Sequence, residues 1–230
     1  MNKQLSIPYN NKKIKGHLHL NSHSNILIII CHGFGDSKDT PEIKRVTELL
    51  NNNFNIFRFT FTDSRDPYLP EEKLNIDTVV EYFSKNYQKI VLLGVSLGGL
   101  SAALGVVNNK KINKLVLVNP FAFFHNKVAW RFRKKIIGMF LAYPFVKKIR
   151  DNLNFYFKNF KPKSIMIPTL IIVAQNDQKV NAIHGKKLFK MIGSLEKKII
   201  VDKEIDHGLT KESYKITVTE YISNWLTKNV

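Results

Sequence analysis

The stretch LLGVSLGGL, residues 92–100, sets Ser96 between Gly94 and Gly98 directly behind a run of aliphatic residues. A serine hydroxyl is a poor nucleophile until an imidazole takes its proton, and that imidazole needs a carboxylate to hold the right tautomer. Both group types occur downstream: Asp177 closes LIIVAQND, and His207 follows in IIVDKEIDHGL. A sharp strand-to-helix turn exposes such a hydroxyl, and glycines two before and two after it relieve the crowding there. Gly94 and Gly98 occupy those places, and Gly99 allows the helix to pack closely. A helix starting at Leu97 aims backbone N–H groups and a partial positive charge at a developing oxyanion. The upstream HGFG, residues 32–35, can supply a second N–H from Phe34. Each feature is commonplace singly; their coincidence points to nucleophilic catalysis.

The elements that must position these groups are legible from periodicity. NILIIIC (25–31) is apolar almost throughout, as in a strand covered on both faces. Pro41 suits a first helical turn, and Ile43, Val46, Leu49 and Leu50 then share a helical face. FNIFRFTF reads as the next strand, followed by a helix with Ile76, Val79, Val80 and Phe83 on one stripe. KIVLLGV precedes a helix carrying Leu97, Leu100, Ala103, Leu104 and Val107; NKLVLVNP, PTLIIVA and EKKIIVD are further strands. Tyr214, Val218, Tyr221, Ile222 and Trp225 mark a closing helix. Strand–helix alternation predicts an α/β fold, a mostly parallel sheet with helices on both faces, whose ligands bind at the carboxyl ends of the strands.

Those ends carry HGF, Ser96, Asp177 and His207, in that order, and the arrangement resembles the α/β-hydrolase superfamily. CHGFGDSKDT, GVSLGG, PTLIIVAQNDQKV and DHGL are similar to small esterases of the feruloyl-esterase-like and monoacylglycerol-lipase-like types, over roughly residues 14–228. The resemblance implies Ser96 as nucleophile, Asp177 as orienting acid, His207 as base, the N–H groups of Phe34 and Leu97 as oxyanion hole, and no cofactor or metal. Asp202 and Asp206 compete as acid. Asp206 adjoins His207 in sequence and is poorly placed to face its Nδ1, and Asp177 alone fits the strand-end pattern. His32 and Gly33 belong to the oxyanion loop, with His32 expected to support it by a hydrogen bond. Two departures stand out. FTFTDSRDPYLPEE follows the fourth strand where many relatives carry a Gly-His-Gly-like loop, and Val95 replaces a frequent His before the nucleophile. A serine at the elbow argues against dehalogenases and epoxide hydrolases, which use an aspartate.

The chain has 230 residues, 44% hydrophobic and 23% charged, which fits a single domain over 1–230. Residues 121–167 are too long for an ordinary connection, and they are basic and aromatic. By resemblance they form a helical cap or lid. Within it Val128, Phe132, Ile136, Met139 and Phe140 share one helical face and Arg131, Lys134 and Lys135 the other, with Pro144 as a break. Such a surface fits either a docked cap with solvated lysines or contact with an anionic lipid surface or an acidic substrate such as an acyl-CoA. The net charge of +18 invites a nucleic-acid reading, but Lys, Asn and Ile are abundant together, so compositional drift is the plainer source. No nucleic-acid motif accompanies the charge, and no nucleic-acid partner is expected. One cysteine, Cys31, and an N-terminus without the apolar core of a signal peptide point to the cytoplasm. His17 and His19 alternate onto one strand face near His23, without an obvious third metal ligand; an exposed hairpin is expected there. The expected function is a serine hydrolase of carboxylic esters or thioesters. The alternatives are a peptidase or acyltransferase with the same residues, or a non-catalytic lipid- or nucleic-acid-binding protein on the same scaffold.

Overall fold

A computed structural model describes residues 2–64, 66–124 and 144–228. The strands are β1 (Asn2–Tyr9), β2 (Lys12–His19), β3 (Ile26–Cys31), β4 (Asn55–Phe59), β5 (Lys89–Val95), β6 (Lys114–Val118), β7 (Thr169–Ala174) and β8 (Lys197–Asp202). The helices are α1 (Pro41–Asn51), α2 (Leu69–Ser84), α3 (Leu97–Val106), α4 (Pro144–Asn159), α5 (Ile183–Met191) and α6 (Glu212–Lys228). One sheet runs β1-β2-β4-β3-β5-β6-β7-β8. The β1–β2 and β2–β4 pairs are antiparallel and every other pair is parallel.

Alternation along the central strands builds two apolar layers. Leu27, Ile29 and Cys31 of β3 face one way with Ile90 and Leu92 of β5, while Ile28, Ile30, Val91 and Leu93 face the other. The first face is covered by α2, α3 and α5 through residues such as Ile76, Ala103 and Leu188. The second is covered by α1 and α6 through Ile43, Val46, Leu50, Val218 and Ile222. A fully buried Ile or Leu contributes roughly 1.5–3 kcal/mol, so these layers hold the sheet as a rigid platform. The chain leaves β3 for β4 through α1, then crosses back over β3 to β5 through α2 on the opposite face. The loops after β3 and β5 therefore diverge, and the crevice between them is where ligands bind in open α/β sheets.

The N-terminal hairpin is not an exposed appendage. β2 pairs with β4 from Gly16↔Phe59 to His19↔Ile56, and Ile7, Ile14 and Leu18 are buried. Gly16 lies against the Phe57 ring, where an added Cβ would come within 2.2 Å of a ring carbon. Pairing β2 to β4 satisfies a backbone edge that would otherwise stand open. His17 and His19 are spent on a buried arginine: Arg58 Nε donates to His19 Nε2 at 3.2 Å, and the guanidinium also meets His17 Nδ1 at 2.9 Å. Among the described residues no group of three or more His, Cys, Asp or Glu side chains could hold a metal ion. No described helix is long and apolar enough to cross a membrane.

Of the span 121–167, residues 121–124 and 144–167 are described. Pro144 opens α4, whose Tyr156 packs with Leu69, Leu100 and Leu104. Asn152 docks α4 on the entrance to α2: its Oδ1 accepts the Leu69 N–H at 2.7 Å and its Nδ2 donates to the Pro67 carbonyl at 3.0 Å. That contact matters because Tyr68, the residue ahead of α2, makes no side-chain cap. Arg131, Phe132, Lys134, Lys135 and Phe140 lie outside the described residues.

Candidate active site

Ser96 occupies the position that precedes α3, where a serine ordinarily turns its hydroxyl back to cap the first-turn N–H groups. Here φ is 53° and ψ is −121°, and the side chain makes no such cap. A non-glycine residue at positive φ carries local strain, which the surroundings must hold. The Ser96 N–H donates to Val118 at 3.0 Å, and the Ser96 carbonyl accepts from Phe121 at 2.9 Å and Gly99 at 3.0 Å. The turn also needs close backbone approach. A Cβ on Gly98 would sit 2.3 Å from the carbonyl oxygens of Cys31 and His32, and one on Gly94 only 2.5 Å from the Gly98 oxygen. Gly99 meets Pro120 in the same way, at 2.9 Å.

The freed hydroxyl points at an imidazole. Ser96 Oγ lies 3.0 Å from His207 Nε2, and His207 Nδ1 lies 2.6 Å from Asp177 Oδ2. Asp177 is almost wholly enclosed, its side chain 1% exposed, and the His207 side chain is 14% exposed. The other carboxylate oxygen of Asp177 accepts the N–H groups of Lys179 and Val180, each at 2.8 Å, which fixes the carboxylate plane. With Nδ1–H donating to that carboxylate, Nε2 is left as the acceptor for the serine proton. The competing acids are engaged elsewhere. Asp202 accepts from the N–H groups of Glu204 and Ile205 and from the Tyr221 hydroxyl, and Asp206 accepts from Thr210.

Leu97 is the first residue of α3, so its N–H has no acceptor within the helix. Gly33 abuts Ser96: a Cβ there would lie 3.3 Å from Ser96 Cβ. His32 is buried and holds this loop to the segment after β4. Its Nε2 accepts the Phe61 N–H at 3.1 Å, so Nδ1 carries the proton and donates to the Gly33 carbonyl at 2.9 Å. Burial holds the His32 pKa below the ordinary imidazole range, which keeps the ring neutral in that role. Cys31 is fully enclosed, and burial pushes its thiol pKa up.

Two cavities flank the Ser96 turn. One of about 500 Å³ opens on Ser96 and His207 and is lined by Val95, Thr40, Lys179 and Leu209 among others. A second of about 310 Å³ lies under α4, lined by Leu97, Leu69, Phe124, Ile149 and Leu153. Phe34 borders both and is 67% exposed.

Two residues that periodicity does not reveal are also built into the site. His184, on α5, accepts the N–H groups of Ala122 and Phe123 at 3.2 Å each and so pins the chain just after β6. Burial, followed by Lys187, lowers its pKa and keeps it an acceptor. Asn119, in the NP dipeptide that ends β6, reaches the acid and histidine loops. The sequence signal for Asn119 is a polar residue ending a buried strand before proline; for His184 there is none.

No family model matches the sequence, and no curated protein matches it. Solved structures do match over nearly the whole chain. Est1E from Butyrivibrio proteoclasticus is 21% identical, with a TM-score of 0.75 over 97% of this chain and 99% of that one. The Pyrococcus furiosus esterase Pf2001 is 18% identical, with a TM-score of 0.75 over 99% and 90% of the two chains. Alpha/beta hydrolase domain-containing protein 10 from mouse is 14% identical, with a TM-score of 0.76 over 99% and 100%. The chain has the α/β-hydrolase fold.

Proposed function

We propose that this protein is a serine hydrolase that cleaves carboxylic esters, thioesters included, through an acyl-enzyme on Ser96. The observation that carries the reading is the continuous hydrogen-bonded line from Asp177 through His207 to a serine hydroxyl released by its strained turn. It is supported by a fold that this chain has in common with esterases. In this mechanism Ser96 Oγ attacks the substrate carbonyl carbon while its proton passes to His207 Nε2. The carbonyl oxygen becomes an oxyanion held by the N–H groups of Phe34 and Leu97, aided by the positive end of α3. Asp177 fixes the imidazole and stabilises its protonated form. The His207 proton then goes to the leaving alkoxide or thiolate as the bond to the acyl carbon breaks. Water, deprotonated by His207, attacks the acyl-enzyme in the same way and restores Ser96.

The two cavities offer one apolar slot under α4 and one larger, more enclosed recess beside His207, suited to the two halves of an ester. The basic, aromatic cap segment 121–167 is read as the lid over them, with an anionic lipid surface or an acidic acyl donor as its partner. A cytoplasmic setting belongs to the same reading, supported by a lone, fully buried cysteine. The test is a panel of p-nitrophenyl esters and acyl-CoAs of increasing acyl length. The parent protein is expected to turn over at least one chain-length class, and Ser96→Ala none. Equal hydrolysis by both proteins would refute the mechanism.

A further inference from the structure

We infer that Asn119 is a positioning residue that locks the acid loop and the histidine loop to the nucleophile's own strand; this rests on the proposed roles of Ser96, His207 and Asp177. The side chain is buried, 2% exposed, and every hydrogen-bonding group on it is used. Its Oδ1 accepts the N–H of Ala174, the last residue of β7 and three before Asp177, at 2.7 Å. Its Nδ2 donates to the carbonyls of Asp206 and His207, each at 3.0 Å. Its backbone N–H donates to Ile172 at 2.8 Å. Asn119 itself adopts φ 46°, a left-handed conformation that asparagine tolerates better than most residues.

The placement makes this more than packing. The ladder between β7 and β8 ends at Ala174↔Asp202, and no strand pairing continues to His207. Beyond that point Asn119 ties the His207 main chain to the end of β6. The same β6 end holds the nucleophile turn, since Val118 accepts the Ser96 N–H and Pro120 packs on Gly99. One amide therefore sets the three loops in a common frame. A shift of about 1 Å in a reacting geometry can cost on the order of a hundredfold in rate.

The test compares Asn119→Gly, which keeps the positive φ and loses the side chain, with Asn119→Asp. The aspartate keeps the acceptor for Ala174 but sets an oxygen against two carbonyls. Competent sites are counted by titration with a fluorophosphonate, and turnover of p-nitrophenyl butyrate is expressed per titrated site. The expected result is a fall in kcat per site of about tenfold to a hundredfold with KM little changed. In an Asp177→Asn background the same Asn119→Gly change is expected to cost much less, because both act through the orientation of His207. Normal kcat per titrated site, with only Tm or the titratable fraction lowered, would overturn the inference. So would full additivity with Asp177→Asn. If Asn119→Gly does not fold, Asn119→Asp decides by the same two readouts. A parent protein that the phosphonate does not label at Ser96 would instead refute the hydrolase reading itself.

Discussion

At the scale of single residues, Ser96 shows a local preference overruled by its surroundings. A serine ahead of a helix gains about 1 kcal/mol by capping it. Here the cap is forgone, which leaves the hydroxyl 3.0 Å from His207 Nε2 and the Leu97 N–H without a partner in the helix. Asp177 is distinguished from its rivals by what its oxygens touch: two backbone N–H groups on one, His207 on the other. Asp177→Asn is therefore expected to lower kcat by about 10⁴ through the wrong imidazole tautomer, while Asp202→Asn leaves kcat nearly intact. Steady-state kinetics on one activated ester separates the two, and the reverse ranking would assign the acid to Asp202. Ser96 and Asp177 were legible in the sequence because each is a polar residue that follows a buried apolar run; His207 lies five residues beyond the half-exposed β8 and was legible by the DHGL stretch instead. Asn119 and His184 were not, because their partners are main-chain groups brought close only by the sheet order.

At the scale of elements, strand and helix positions followed from apolar periodicity, since burial on both faces leaves little choice of residue type. KIVLLGV coincides with β5, and PTLIIVA runs one residue beyond β7 at its start. The hairpin was misplaced for a physical reason: its lysine-rich strands look solvated, and nothing in their pattern records that β2 is hydrogen-bonded to β4. That pairing buries a histidine beside an arginine and gives a pH dependence. Burial first, then Arg58 and His17, depress the His19 pKa from 6.5 to about 4, with Glu48 opposing. A group depressed on folding binds protons more readily in the unfolded chain, so its contribution is complete above pH 6.5 and is lost as pH falls toward about 4. Urea midpoints are expected to drop across that window, and to drop less in His19→Gln, whose carbonyl can still accept from Arg58. An unchanged pH slope in that variant would remove His19 from the account. At the α2–α3 contact Glu72 acts oppositely. Burial raises its pKa to about 7 despite its bond to Ser101, so stability is lost as pH rises from 4.5 toward that value.

At the scale of the whole molecule, the sheet order places the loops after β3, β5, β7 and β8 at one edge, and all the proposed chemistry lies there. The charge of +18 is a property of the entire surface and says nothing of that edge by itself. The functional part proposed for it in residues 121–167 is testable: changing Arg131, Lys134 and Lys135 together to Glu is expected to weaken binding to anionic vesicles or raise KM for acyl-CoA. The effect is expected to be largest at low ionic strength, with hydrolysis of a small neutral ester unaffected. Equal behaviour of the two proteins on every anionic surface and substrate would leave the charge as compositional drift. The central claim, that Ser96 is a nucleophile activated by His207 and Asp177, is tested most directly by intact-mass analysis after exposure to a fluorophosphonate. The account predicts a single adduct on the native protein, mapped to Ser96, absent in Ser96→Ala and formed far more slowly in His207→Ala. A native protein that gains no adduct, or a Ser96→Ala variant that gains the same one, would contradict it.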